Sequence, residues 1–231
     1  MTKERPILFS GAMVRATLDG RKTQTRRVLK PQPLPNVNGW DWSWPIPGKN
    51  VTPGTRDYWR NDAKNPIAPR YCPHGQPGDR LWVRETHYAF GRWETRHSAK
   101  KGRDEWHFVD LTLDSGREYQ YPDTFEPVAM LPRGDVTPSW WKRPAIFMPR
   151  AASRIAREIV SVRVERLNDC SEADALAEGV TATPDGAFHI EQDMYRAPDP
   201  VECYARLWAA INGDGAWTAN PWVWVVEFRR V

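Results

Sequence analysis

The stretch Gly20-Arg21-Lys22-Thr23-Gln24-Thr25-Arg26-Arg27 decides how this chain is read. It follows an apolar run, Ile7-Leu8-Phe9, and a short helical pattern in which Met13, Val14, Thr17 and Leu18 form a stripe. Ser10 suits the N-cap of that helix, and Gly20 suits the position just past its C-terminus. Thr23 to Arg27 then reads as extended chain. Alternation along a strand puts Thr23, Thr25 and Arg27 on one face and Lys22, Gln24 and Arg26 on the other. Taken alone, the stretch is equally a solvated basic strand at a sheet edge or one wall of a ligand site.

Composition narrows the choice. A chain of 231 residues with a hydrophobic fraction of 40% can bury a real core. No apolar run approaches the ~20 residues of a membrane span, so no membrane partner is expected. Met1 to Pro6 lacks the apolar core of a secretory signal. Cys72, Cys170 and Cys203 are odd in number and far apart, which argues against a disulfide framework and for a reduced, cytoplasmic protein. The net charge is +4, yet residues 1 to 35 carry eight Lys/Arg against only Glu4 and Asp19. Positive charge gathered at one end suggests a surface that faces a polyanion. Thirteen tryptophans are the other departure; they either pack or stack on unpaired bases.

Along the chain, residues 36–70 lose all period amid Pro, Gly and Asn and read as a long loop pinned by Trp40, Trp42, Trp44, Tyr58 and Trp59. Pro77-Gly78-Asp79 is a turn leading into a strand with Leu81 and Val83. Residues 91–144 read as a second, hairpin-like insertion, with extended pieces at Trp106 to Val109 and Glu118 to Tyr121 and a basic aromatic patch from Pro138 to Pro144. Val160, Val162 and Val164 alternate as a strand with one buried face. Ser171 and Asp174 make a capping-box start to a helix closed by Glu178-Gly179, and residues 180–198 follow as a loop. Asp199-Pro200 opens another helix, through Val201, Tyr204, Ala205, Trp208 and Ile211 to Gly213, and Trp222 to Phe228 is the last strand. The outline is α+β, with about five or six strands, three flanking helices and a sheet small and twisted enough to close into a barrel.

Four of these blocks in this order resemble the ASCH domain of the PUA-like β-barrel superfamily. They are Ile7 to Arg27 with its Gly-x-Lys-Thr-x-Thr-Arg ending, Pro77 to Glu85, Ala175 to Gly179, and the Trp222 to Phe228 strand. With its Cys-Pro-His-Gly lead and Trp-rich insertions, the form is similar to ASCH proteins carried by bacteriophages and prophages. The resemblance implies a single PUA-like domain over 1–231, with insertions at 36–70 and 91–144 and a cleft for RNA or a nucleobase. It implies RNA or a modified nucleoside as partner, with DNA as a further candidate, in the cytoplasm of a bacterial host. Some small members hydrolyse the amide of acylated cytidine; others are reported as RNA-binding proteins or ribonucleases. Matched block to block, the residues implied for hydrolysis are Lys22, Thr25 and Glu178, and Arg21, Thr23, Arg26, Arg27, Arg84 and Glu85 are the ligand-binding candidates. The departure is size, since this chain is much larger than those enzymes.

The chemistry of the trio is coherent. A threonine hydroxyl needs a base to become a nucleophile, a buried lysine can be that base or, if charged, can stabilise the oxyanion, and a glutamate can protonate the leaving amine. Ideal strand geometry opposes it, because Lys22 and Thr25 point to opposite faces unless a bulge intervenes. Used for binding alone, Lys22, Arg26 and Arg27 neutralise phosphates while Thr25 and Glu178 hold an unpaired base, and Arg84 pairs with Glu85. The third reading is a non-catalytic phage accessory protein that binds a host protein through the Trp-rich insertions. Cys72 and His74 have no second pair at zinc spacing, so neither a metal nor any other cofactor is expected.

Overall fold

A computed structural model describes residues 2–30, 32, 43–45, 58–62, 65–66, 72–127, 132–190 and 195–231. The elements are β1 (Glu4–Leu8), α1 (Gly11–Leu18), β2 (Gln24–Val28), β3 (Ser43–Pro45), β4 (Tyr58–Asp62), β5 (Asn65–Pro66), β6 (Arg80–Arg84), β7 (His87–Ser98), β8 (Arg103–Asp110), β9 (Ser139–Arg143), β10 (Ala156–Arg166), α2 (Glu172–Ala177), β11 (Thr181–Ala182), β12 (Phe188–His189), α3 (Pro200–Asn212) and β13 (Trp222–Arg230). The class is α+β, as the patterning predicts.

The main sheet has the order β1-β6-β10-β13-β2. Its spine is the antiparallel ladder of β10 and β13, and β2 adds to the outer side of β13 with Thr25 opposite Val226 and Arg26 opposite Val225. Among the described residues the order ends at β1 on one side and β2 on the other, so the sheet is open rather than a closed barrel. Val223, Val225, Val226, Ile159 and Leu81 are all but inaccessible and form its core. The expected face of β10 is corrected by a bulge. The register slips between Ile159 and Ser161, and the extra residue turns Val160 outward, 41% exposed, while Ile159 and Val162 stay buried.

The chain divides into two compact units, one of residues 1–7, 11–82 and 155–231, the other of residues 8–10 and 83–154. In the second, β7 is the middle of an antiparallel sheet β8-β7-β9. The extended piece expected at Glu118 to Tyr121 is reduced to one bridge, Gln120 with Tyr88. The basic aromatic patch is packing: Trp140 meets Phe90 and Phe125 edge-on or tilted, and Trp141 donates its indole N–H to the Gly91 carbonyl. Two loops are more regular than expected, since β3–β5 form a small sheet within 36–70 and β11 pairs with β12 within 180–198. The rest of 36–70, with Trp40 and Trp42, lies outside the described residues.

Where β7 crosses β8 only glycine fits. A Cβ on Gly91 would lie 2.1 Å from the Val109 carbonyl oxygen and 2.8 Å from the Phe108 ring. Gly91→Ala therefore forces the ladder apart and is expected to cost about 2–3 kcal/mol, read as a lower urea midpoint. An unchanged midpoint would contradict the crossing as described.

Candidate functional site

Three chain ends meet at Lys22. Its backbone N–H donates to the Ala16 carbonyl of α1 (2.9 Å), and the Thr23 N–H donates to the Ala177 carbonyl of α2 (2.9 Å). The α2 helix starts on the expected capping box of Ser171 and Asp174 and ends at Glu178. Gly179 then turns the chain at φ +106°, with the Ala16 Cβ only 3.0 Å from where its own Cβ would be. This turn aims the Glu178 side chain back at Lys22. Lys22 Nζ donates to Glu178 Oε2 (2.6 Å) and to the Glu178 carbonyl (3.0 Å). Neither side chain is more than 1% exposed. The ammonium thus serves both the carboxylate and the negative end of a helix.

Lys22, Gln24 and Arg26 share a face, as alternation predicts, and all three reach toward α2. Gln24 Nε2 donates to the carbonyl and side chain of Asp174 (3.0 and 3.1 Å). Arg26 spreads over Glu165 (2.6 Å), Asp174 (3.2 Å) and Glu178 (3.4 Å). Arg163 joins Glu165 and Asp174 at 2.8 Å each and also pairs with Glu227. Buried Lys22 and Arg26 are therefore answered by carboxylates, without which their burial would be prohibitive.

The protonation pattern follows. Burial pulls the Lys22 pKa down, Glu178 pushes it back, Arg27 and Arg26 lower it again, and the net direction is down. For Arg26 burial also acts downward, but Glu178 leads a set of neighbours that outweigh it, and the guanidinium is held more firmly charged. Asp174 is raised by desolvation yet brought down to about 2 by hydrogen bonds from Ser171 and Gln24 and by the charge of Arg26.

Glu178 also opens onto a cleft of about 50 Å³ along the edge strand β2, walled by Arg26, Arg27, Met13 and, on α3, Tyr204, Leu207 and Trp208, with Ile211 and Asn212 at one end. Burial first, then Glu178, push the Tyr204 phenol well above its ordinary pKa, so it remains a protonated donor. Trp208 is 5% exposed, and its buried indole N–H has no acceptor among the described residues.

The candidates separate accordingly. Lys22, Arg26, Arg27 and Glu178 come together. Thr25 does not join them: it is 1% exposed, its hydroxyl has no partner among the described residues, and it does not line the cleft. Arg21 binds Asp19, Thr181 and the Gly179 carbonyl. Thr23 is exposed and lines a separate pocket of about 260 Å³ with Lys22, Arg157, Arg229 and Arg230. Arg84 and Glu85 belong to the other unit, where the expected ion pair between them is replaced. Both Glu85 oxygens accept from Arg154 at 3.0 Å, because consecutive strand residues point apart. Tyr204 and Trp208 were legible only as a helical core stripe, and Asp174 only as a cap; nothing in their spacing announces the cleft. Among the described residues no three His, Cys, Asp or Glu gather as a metal site. None of the helices described is long and apolar enough to cross a membrane.

Compared with protein-family models, with curated proteins and with solved structures, the chain has no match.

Two measurements test the cluster. Lys22→Met leaves Glu178 buried without its main partner and is expected to cost about 3–5 kcal/mol, while adding Glu178→Leu to that variant restores most of the loss. Equal stability of single and double variants would deny the pair. Because Asp174 titrates near 2 in the fold and near its ordinary 3.8 when unfolded, its contribution is complete above about pH 4 and disappears as pH falls toward 2. The melting temperature of Asp174→Asn should accordingly fall less steeply over that window than the wild-type value.

Proposed function

We propose that the chain is an ASCH-type, PUA-like domain whose cleft takes the edge of a cytosine base in RNA or in a modified nucleoside, and that it hydrolyses the N4-acyl amide. The observation that carries this reading is the Lys22–Glu178 pair: 2.6 Å apart, no more than 1% exposed, and facing a cleft through Glu178. A carboxylate held beside an ammonium of lowered pKa is suited to taking and returning a proton. The cleft is small beside the ~300 Å³ of a typical ligand pocket, so it takes the acylated edge of a base and leaves the ribose and phosphate outside. The basic pocket beyond Lys22, with Arg157, Arg229 and Arg230, favours a polynucleotide over a free nucleoside.

In the reaction a water attacks the acyl carbon. Its O–H bond breaks, the proton passes to Glu178, and the oxygen bonds to carbon. Donors in the cleft wall stabilise the oxyanion. The carbon–nitrogen bond then breaks, the Glu178 proton goes to N4, and a carboxylic acid and cytidine leave. Thr25 has no part in this scheme. Lys22 is a positioning residue that holds the Glu178 carboxylate and its charge in place.

N4-acetylcytidine, free and within an oligoribonucleotide, followed by chromatography, tests the proposal. The wild type is expected to release acetate, Glu178→Gln to lose about 10²–10⁴-fold in rate, and Thr25→Val to keep its rate. No turnover of either substrate removes the hydrolytic reading, and a dead Thr25→Val variant would reinstate a nucleophilic threonine.

A further inference from the structure

The cleft already meets the needs of its charged groups, since Glu178 is bonded by Lys22 and Arg26. Two buried donors of its lining residues are left over, the Arg26 Nε–H, whose guanidinium is otherwise bonded to carboxylates, and the Trp208 indole N–H. Trp208 lines the cleft, and its buried indole N–H has no acceptor among the described residues. A buried N–H without a partner is costly, and such groups are retained where something else supplies the acceptor. The neighbouring wall is apolar, made by Met13, Leu207 and Ile211. An anion seated there would lose its hydration beside the Glu178 carboxylate, whereas a neutral carbonyl oxygen satisfies one N–H and loses little.

We infer that Trp208 is a specificity residue whose indole N–H donates to a neutral carbonyl of the ligand, so that the cleft selects an amide-like edge: a carbonyl oxygen for Trp208 and an N–H for Glu178. The inference rests on the reading that this cleft is the ligand site, and it deepens that reading by naming the group recognised. A base with a carbonyl next to a ring or exocyclic nitrogen fits; a hydrocarbon or a simple carboxylate does not. Tyr204, tilted against the Trp208 ring at 6.1 Å, limits the swing of the indole and keeps the donor directed.

The test follows the Trp208 indole resonance in ¹H–¹⁵N spectra of the full chain, assigned in the wild type by triple-resonance experiments. The probes are N4-acetylcytidine, cytidine, acetamide and acetate. The expected result is a shift with both nucleosides and with acetamide but not with acetate, and a Kd for cytidine about tenfold weaker in Trp208→Phe. Nucleoside binding with an unmoved indole and an unchanged Trp208→Phe affinity overturns the inference and leaves the nucleobase reading standing. A shift with acetamide alone overturns the nucleobase reading and keeps the carbonyl recognition. A shift with acetate in place of acetamide, or with none of the probes, overturns the inference.

Discussion

A lysine ammonium and a glutamate carboxylate, both removed from water and touching at 2.6 Å, set the arrangement of everything around them. Neither charge could be buried alone, since its desolvation is offset only by an opposite charge and hydrogen bonds at close range. To bring them together, the end of α1, the start of β2 and the end of α2 must converge. The hydrogen bonds of Lys22 to Ala16 and of Thr23 to Ala177 record that convergence. Gly179 makes it sterically possible, because its left-handed φ and missing Cβ let the chain reverse against Ala16.

The pair is anchored in a wider charged layer. Asp174 caps α2 through Ser171 and accepts from Gln24, Arg26 and Arg163. A residue that does both ties the orientation of a six-residue helix to the sheet, which so short a helix could not maintain through its own backbone bonds. On the opposite face of β2 and β13, Thr25 and Arg27 stand beside the apolar Val226 and Trp224. Gln24 and Arg26 on one side of this edge strand thus join the salt-bridged layer, Thr25 on the other is buried, and the cleft lies where α3 meets the strand.

That placement separates the roles of residues adjacent in sequence. Glu178 meets the cleft and Lys22 stands behind it. Arg26 is spent on carboxylates, while Arg27, one position on, helps line the cleft wall. Thr25 is turned away, as strand alternation requires without a bulge. The donors that complete the cleft, Tyr204 and Trp208, come from a helix almost 180 residues further along the chain, and its amphipathic pattern marks them only as buried.

Much of the fold was legible in sequence because it depends on local chemistry. The capping box at Ser171, the Asp199-Pro200 helix start, the strand at Trp222 and the alternation of Lys22, Gln24 and Arg26 all follow from periods and caps. The bulge at Val160 was not legible, because one inserted residue reverses every later side chain without changing composition. The replacement of the Arg84–Glu85 pair by Arg154 with Glu85 was hidden for a similar reason: neighbours in sequence diverge on a strand, and the true partner is 69 residues away. By itself the sequence determined the elements, their caps and the basic stretch that begins at Gly20. Only the tertiary structure decided which of those charges are used up in holding the fold and which groups face a cleft, since ion pairing and burial are set by distances through space.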